Sequence, residues 1–127
     1  MKKVLDKVLK TCYNKSIESK IDRAYHVVAC IFNDKGRILT VKTNEYKTHP
    51  IAKDFGYEYP YLHAELNAAI SHGLDDCHGL NILVFRITPK QKRITMAKPC
   101  GQCLSMLRTL GFRKVYYTDW LGNLQEL

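Results

Sequence analysis

Two cysteines three residues apart, Cys100 and Cys103, follow directly on Pro99, and earlier in the chain His63 stands two residues before Glu65. Thiols at i and i+3 of a helix point to one side and can grip one ion together. A helix N-terminus lowers the thiol pKa and so favours the thiolate that zinc needs. Pro99 suits the entry to a helix, where a missing N–H costs little. A lone C-x-x-C fits a zinc half-site, a redox pair or coincidence; the second C-x-x-C that a structural four-cysteine site requires is absent from the sequence. His63 is a candidate third ligand at another helix start, and a His-Cys-Cys set leaves the fourth tetrahedral position to water. Zinc lowers the pKa of such a water from about 15.7 towards roughly 7, and Glu65 is the nearby group able to move protons between it and a substrate. On an ideal helix, positions i and i+2 stand about 200° apart, so His63 and Glu65 can converge only by reaching over the end of a first turn.

The elements that must hold these groups can be read from periodicity. Val4, Leu5, Val8, Leu9 and Cys12 recur with helical spacing among lysines, predicting an amphipathic helix over roughly the first dozen residues. Tyr25 to Phe32 is rich in β-branched and aromatic residues, Asn33-Asp34-Lys35-Gly36 supplies a turn, and Arg37 to Lys42 returns, predicting a β-hairpin. Thr43 to Tyr61, broken by Pro50, Gly56 and Pro60, is expected to be a long loop. Leu62, Leu66, Ala69 and Ile70 keep helical spacing as far as Gly73, which puts His63 and Glu65 in the first turn of a second helix. Asn81 to Ile87 reads as a buried strand, Cys100 to Leu110 as a third helix stopped by Gly111, and Lys114 to Thr118 as another strand. Leu121-Gly122-Asn123 has turn chemistry, allowing a short last strand to fold back. The order α-β-β-α-β-α-β-(β) predicts an α/β fold with a mixed sheet and helices packed on it, without internal repeats or linkers.

With 127 residues, 46% of them apolar, the sequence fits one domain spanning 1–127 with a real core. The longest near-continuous apolar stretch, Val27 to Phe32, is far too short to span a bilayer, and Met1-Lys2-Lys3 leads into the amphipathic segment. Neither a signal peptide nor a membrane anchor is expected. An odd cysteine count, with Cys12, Cys30 and Cys77 beside Cys100 and Cys103, argues against a disulfide framework and for a reducing, cytoplasmic compartment. Twenty Lys and Arg against twelve Asp and Glu give a net charge of +8, which favours anionic partners such as nucleotides, RNA or DNA. The basic residues are scattered, with local enrichment at Lys2, Lys3, Lys7, Lys10 and at Lys90, Lys92, Arg93, a pattern that an ordinary solvated face also gives.

His63-Ala64-Glu65 followed by Pro99-Cys100-Gly101-Gln102-Cys103 is the H-x-E…P-C-x-x-C signature of zinc deaminases. Over almost its whole length the chain resembles the cytidine and deoxycytidylate deaminase superfamily. That resemblance implies a three-layer α-β-α fold, a mixed sheet of about five strands, and Zn²⁺ held at two helix N-termini by His63, Cys100 and Cys103. It implies attack of activated water on C4 of a cytosine or C6 of an adenine, with Glu65 as the proton shuttle. It also implies contacts to the base from the backbone of Ala64 and to the sugar hydroxyl from Asn44, although Thr43-Asn44 is equally a natural strand ending.

The leading substrate is cytosine in a small nucleotide or nucleoside, as in dCMP or cytidine. A base in single-stranded DNA or RNA is the second reading. A non-catalytic zinc or redox module is the third, and Glu65, which zinc does not need as a ligand, argues against it. Histidine as first ligand resembles deoxycytidylate, tRNA adenosine and guanine deaminases. A terminal antiparallel hairpin resembles the free-nucleoside branch instead, and Lys98 stands where the tRNA enzymes favour an acidic residue. The loop from Lys47 to Tyr61 is expected to wall the pocket, its tyrosines stacking on a base and Lys47 or Lys53 meeting a phosphate, or else to pack an oligomer interface. His49 is assigned a positioning or packing role, and Cys77-His78 offers only two local ligands for a second zinc. The resemblance also implies a homo-oligomer.

Overall fold

A computed structural model describes residues 2–18, 26–45, 49–57, 62–88 and 91–127. The first helix, α1, runs Lys2–Glu18, longer than the apolar stripe of its first dozen residues predicts. The stripe continues through amphipathic residues. Tyr13 meets Phe85 edge-on with ring centroids 6.2 Å apart, and buried Ser16 donates its hydroxyl to the Tyr13 carbonyl at 2.6 Å.

Strands β1 (His26–Phe32) and β2 (Ile38–Thr43) form the expected antiparallel hairpin. Its turn is organised by Asn33, whose Oδ1 accepts from the N–H groups of Lys35 and Arg37 at 3.0 and 2.9 Å. β3 (Asn81–Ile87) lies antiparallel to β1 and parallel to β5 (Lys114–Thr118), while β6 (Leu124–Glu126) folds back antiparallel to β5. The strand order is β2-β1-β3-β5-β6. A sixth strand joins the expected five: β4 (Ile94–Thr95) pairs with the end of β3, Arg86 opposite Thr95. Two residues are too few to carry a strand period, so nothing in the sequence marks it.

The alternation of β1 and β3 divides the core into two layers. Val28, Cys30 and Phe32, with Leu83, Phe85 and Ile87, face α1 through Val8 and Cys12. Ala29 and Ile31, with Ile82 and Val84, face the opposite layer. That layer contains α2 (Ala64–His72), which buries Leu66, Ala68 and Ala69, and α3 (Gly101–Thr109), which buries Cys103, Met106 and Leu107. The three-layer α-β-α arrangement follows directly, since both sheet faces are apolar and each needs cover. Each fully buried Leu, Ile or Phe contributes about 1.5–3 kcal/mol, so the two central strands anchor everything that hangs from their ends. No helix among the described residues is long and apolar enough to cross a membrane.

The segment expected to be one long loop is partly ordered by local chemistry. Pro50–Phe55 forms a 3-10 helix with Pro50 in its first turn, and His49 caps it, its Nδ1 accepting from the Ile51 N–H at 3.2 Å. The positioning role assigned to His49 is therefore an N-cap. Two backbone bonds of 2.9 Å between Glu45 and Leu62 close the ends of the intervening segment. They bring the end of β2 beside the start of α2.

Gly36 ends the hairpin turn at φ 86°, and a Cβ there would lie 2.9 Å from Cγ2 of Val4 on α1. Gly79 has a similar φ of 78° with nothing within 4 Å. Gly79→Ala is expected to cost about 1–2 kcal/mol from backbone conformation alone, and Gly36→Ala about 1–3 kcal/mol more from overpacking against α1. Urea unfolding of both variants checks this; equal losses would show that the hairpin turn does not press on α1.

Candidate active site

His63 is the N-cap of α2, with extended backbone angles of φ −61° and ψ 148° and no side-chain cap bond of its own. Its carbonyl already accepts the first helical bond, from Asn67 N–H at 2.9 Å. The imidazole therefore lies outside the helix and over its end. This removes the angular difficulty between His63 and Glu65, because only Glu65, in the first turn, obeys helical geometry.

Cys100 is likewise the N-cap of α3, at φ −66° and ψ 170°. Its sulfur accepts from the Cys103 N–H at 3.4 Å, so the C-x-x-C spacing here is that of an N-cap and the N3 position it satisfies. The approach to Cys100 is pinned to the sheet. Ala97 N–H donates to the Thr118 carbonyl at 2.8 Å, and the buried Thr118 hydroxyl donates to the Thr95 carbonyl at 2.7 Å. The end of β5 thus sets where α3 begins.

The two caps meet. Sγ of Cys100 and Sγ of Cys103 lie 3.7 and 3.4 Å from Nδ1 of His63, and all three atoms fall within 4.8 Å of one another. A tetrahedral zinc at about 2.3 Å from sulfur and 2.0–2.1 Å from nitrogen demands sulfur–nitrogen separations of about 3.6 Å. The donor set fits the ion in identity and in spacing. Among the described residues no other three metal-ligating groups converge in this way.

The electrostatics suit a cation as well. Cys103, bonding to Cys100, lowers the Cys100 thiol to about 4 against the opposing effect of burial, and His63 lowers it further. Cys103 moves the other way, raised by its bond to Cys100 and by burial. Cys100 in turn raises His63 in spite of that ring's burial. The pair thus tends to thiolate and imidazolium, and coordination to a divalent cation removes the remaining protons outright. Glu65, 5% exposed, is pushed up chiefly by burial, which lets its carboxyl hold a proton closer to neutrality.

A third segment closes the site. Gly56, at φ 83°, ends the 3-10 helix and turns Tyr57 inward. The Tyr57 hydroxyl lies 2.7 Å from Cys103 Sγ, and its ring meets the His63 imidazole edge-on at 4.9 Å.

A family model described as the cytidine and deoxycytidylate deaminase zinc-binding region matches residues 2–119. The chain belongs to this family. Its fold is also similar to a solved structure, the cytidine deaminase from Mycobacterium leprae, at a TM-score of 0.60 and 18% identity, covering 96% of this chain and 92% of that one. No curated protein matches the sequence. Membership makes the chain a zinc-dependent deaminase, with Zn²⁺ as its cofactor and His63, Cys100 and Cys103 as the matching donor set.

The remaining sequence candidates are distributed unevenly about this centre. Ala64, buried, opens α2 between His63 and Glu65. Asn44 follows β2, and its Oδ1 accepts from Val27 N–H at 3.1 Å, holding the side chain at that strand end. Asn67, which the sequence did not single out, donates from α2 to the Thr43 carbonyl at 2.8 Å and so fixes Asn44 relative to the α2 start. Tyr57 is not a stacking platform, because it is buried and committed to His63 and Cys103. Lys53 is exposed, whereas Lys47, Tyr59 and Tyr61 lie outside the described residues. Cys77 bonds through sulfur to the Gly73 carbonyl at 3.3 Å and belongs to no three-ligand cluster.

Purified protein is expected to hold about one zinc per chain. His63→Ala or Cys103→Ser should reduce this to a small fraction by atomic absorption, and full metal content in either variant would show that the donor set is wrong.

Proposed function

We propose that the chain hydrolytically deaminates the cytosine base of a small nucleoside or nucleotide, with Glu65 as the proton shuttle. The observation that carries this is a buried carboxyl beside a three-donor zinc site from which it is not needed as a ligand. Zn²⁺ bound by three protein groups keeps a position for water and makes that water acidic enough to react near neutral pH.

Glu65 accepts a proton from the water as its oxygen bonds to C4 of the base, and delivers it to the ring nitrogen N3. It then passes the second water proton to the exocyclic amine, the C4–N bond breaks, and ammonia leaves, with the corresponding uracil nucleoside or nucleotide as the other product. Burial favours a carboxyl that alternates between acid and base at one pH. Ala64 offers its backbone to the base edge, and Asn44 is assigned the sugar hydroxyl. The antiparallel β5–β6 pairing agrees with the free-nucleoside resemblance, while His63 as first ligand agrees with the deoxycytidylate one, so nucleoside and 5′-monophosphate are both retained.

The net charge of +8 supports a second reading, action on single-stranded nucleic acid. Ammonia release from dCMP, cytidine, deoxycytidine, guanine and single-stranded oligonucleotides separates the two. Turnover of one of the three small cytosine substrates is expected; activity confined to oligonucleotides, with binding that weakens steeply in salt, would sink the small-substrate assignment. Glu65→Gln should cut kcat at least about 100-fold while zinc content stays at the wild-type level. An active Glu65→Gln variant would remove Glu65 from the chemistry.

A further inference from the structure

The zinc-site geometry involves one group that neither the ligand set nor the proton shuttle uses. The Tyr57 side chain is 8% exposed, and its hydroxyl ends 2.7 Å from the sulfur of Cys103. A phenylalanine would fill the same space and make the same edge-on contact with His63. The oxygen therefore needs a separate reason, since a buried hydroxyl without a partner costs about 1–3 kcal/mol.

The chain builds this contact deliberately from its local chemistry. His49 caps the 3-10 helix, Pro50 starts it, and Gly56 closes it in the left-handed conformation, after which the Tyr57 N–H bonds back to the Ala52 carbonyl at 3.1 Å. Buried Ala52 anchors the turn beneath. The backbone leading into Tyr57 is thereby fixed before the side chain reaches across 46 residues of sequence to Cys103.

We propose that Tyr57 is a positioning residue for the metal centre, donating its O–H to the Cys103 sulfur and, with its ring edge, fixing the His63 imidazole. Direction follows from valence. A zinc-bound thiolate carries no proton, so in the loaded enzyme the phenol is the donor and the sulfur the acceptor. Such a bond draws electron density off the sulfur. It holds Cys103 in its coordinating rotamer and leaves the metal a stronger Lewis acid, in the way hydrogen bonds around a metal's ligands commonly tune it. The inference rests on the His63-Cys100-Cys103 zinc site and not on which base is deaminated.

The test uses the full chain loaded with Co²⁺ in place of zinc, so that the thiolate-to-cobalt charge-transfer band reports the sulfur directly. Wild type should bind about one Co²⁺ and show the band. Tyr57→Phe should bind Co²⁺ but move the band to longer wavelength, and should hold Zn²⁺ about 10–100-fold more weakly in competition with a chromophoric chelator. Site-specific 3-fluorotyrosine at position 57, a more acidic phenol in the same shape, should move the band to shorter wavelength, a shift that packing alone does not produce. Bands at the wild-type position in both altered proteins, together with unchanged zinc competition, would overturn the role of Tyr57 while leaving the zinc site standing. Failure of wild type to bind Co²⁺ would overturn the site itself, and the proposal with it.

Discussion

Everything at this site depends on two helix N-termini meeting at one point. α2 and α3 come from distant parts of the chain, and each contributes its cap residue and not its body, His63 in one case and Cys100 in the other. A cap is the place where a side chain can leave the helical screw and project beyond the helix end. Its price is that position depends on whatever precedes the helix. Here the α2 start is fixed by the Glu45–Leu62 bridge to the end of β2, and the α3 start by the bonds joining Thr95 and Ala97 to Thr118 of β5. Those ends are held by β1 and β3, whose two faces are covered by separate apolar layers. The rigidity of the metal centre is thus inherited from the sheet, one hydrogen bond at a time.

That construction also explains why the site tolerates an unfavourable collection of groups. Two thiols, an imidazole and a carboxyl converge, Cys103 and Glu65 buried, His63 half-buried and Cys100 exposed, and each disturbs the protonation of the others. Buried groups of this kind are costly unless paired. The α3 N-terminus presents partial positive charge to the sulfurs and donates the Cys103 N–H to Cys100. The sheet supplies the remaining stability at positions that do no chemistry.

The parts of the molecule visible in its sequence are those in which residue type and period coincide. The stripes of α1, the alternating faces of β1 and β3, and the His63, Glu65, Cys100 and Cys103 pattern all have local signals. The mixed sheet with helices packed on it and the antiparallel end of the chain follow from those signals, and the three-layer arrangement from the family resemblance that the His63-to-Cys103 pattern carries. Other features leave none. β4 is two residues long. The last turns of α1 are buried by Tyr13 and Ser16, whose polar ends hide their packing role. The 3-10 helix at Pro50–Phe55 lies between a proline and a glycine that read as breakers, though one is its start and the other its stop. Tyr57 reads in the sequence as a base-stacking or interface aromatic because its partner is 46 residues away, and only the left-handed turn at Gly56 reveals which way it points.

Glu65 differs from the three donors beside it in what it would gain from a metal ion. Zinc satisfies its tetrahedron with three protein donors and one exchangeable oxygen, and two thiolates already balance its charge. A fourth anionic ligand would close the site and leave a surplus negative charge in a buried place. Glu65 therefore gains nothing electrostatically by coordinating, and burial keeps it from ionising early. It sits in the first turn of α2 while His63 sits on the cap, so the helix start itself sends the imidazole and the carboxyl in different directions. An H-x-E placed in the middle of a helix would put its two side chains on nearly opposite faces. Set astride an N-terminus, the same three residues place the imidazole over the helix end in the donor cluster and leave the carboxyl buried in the first turn.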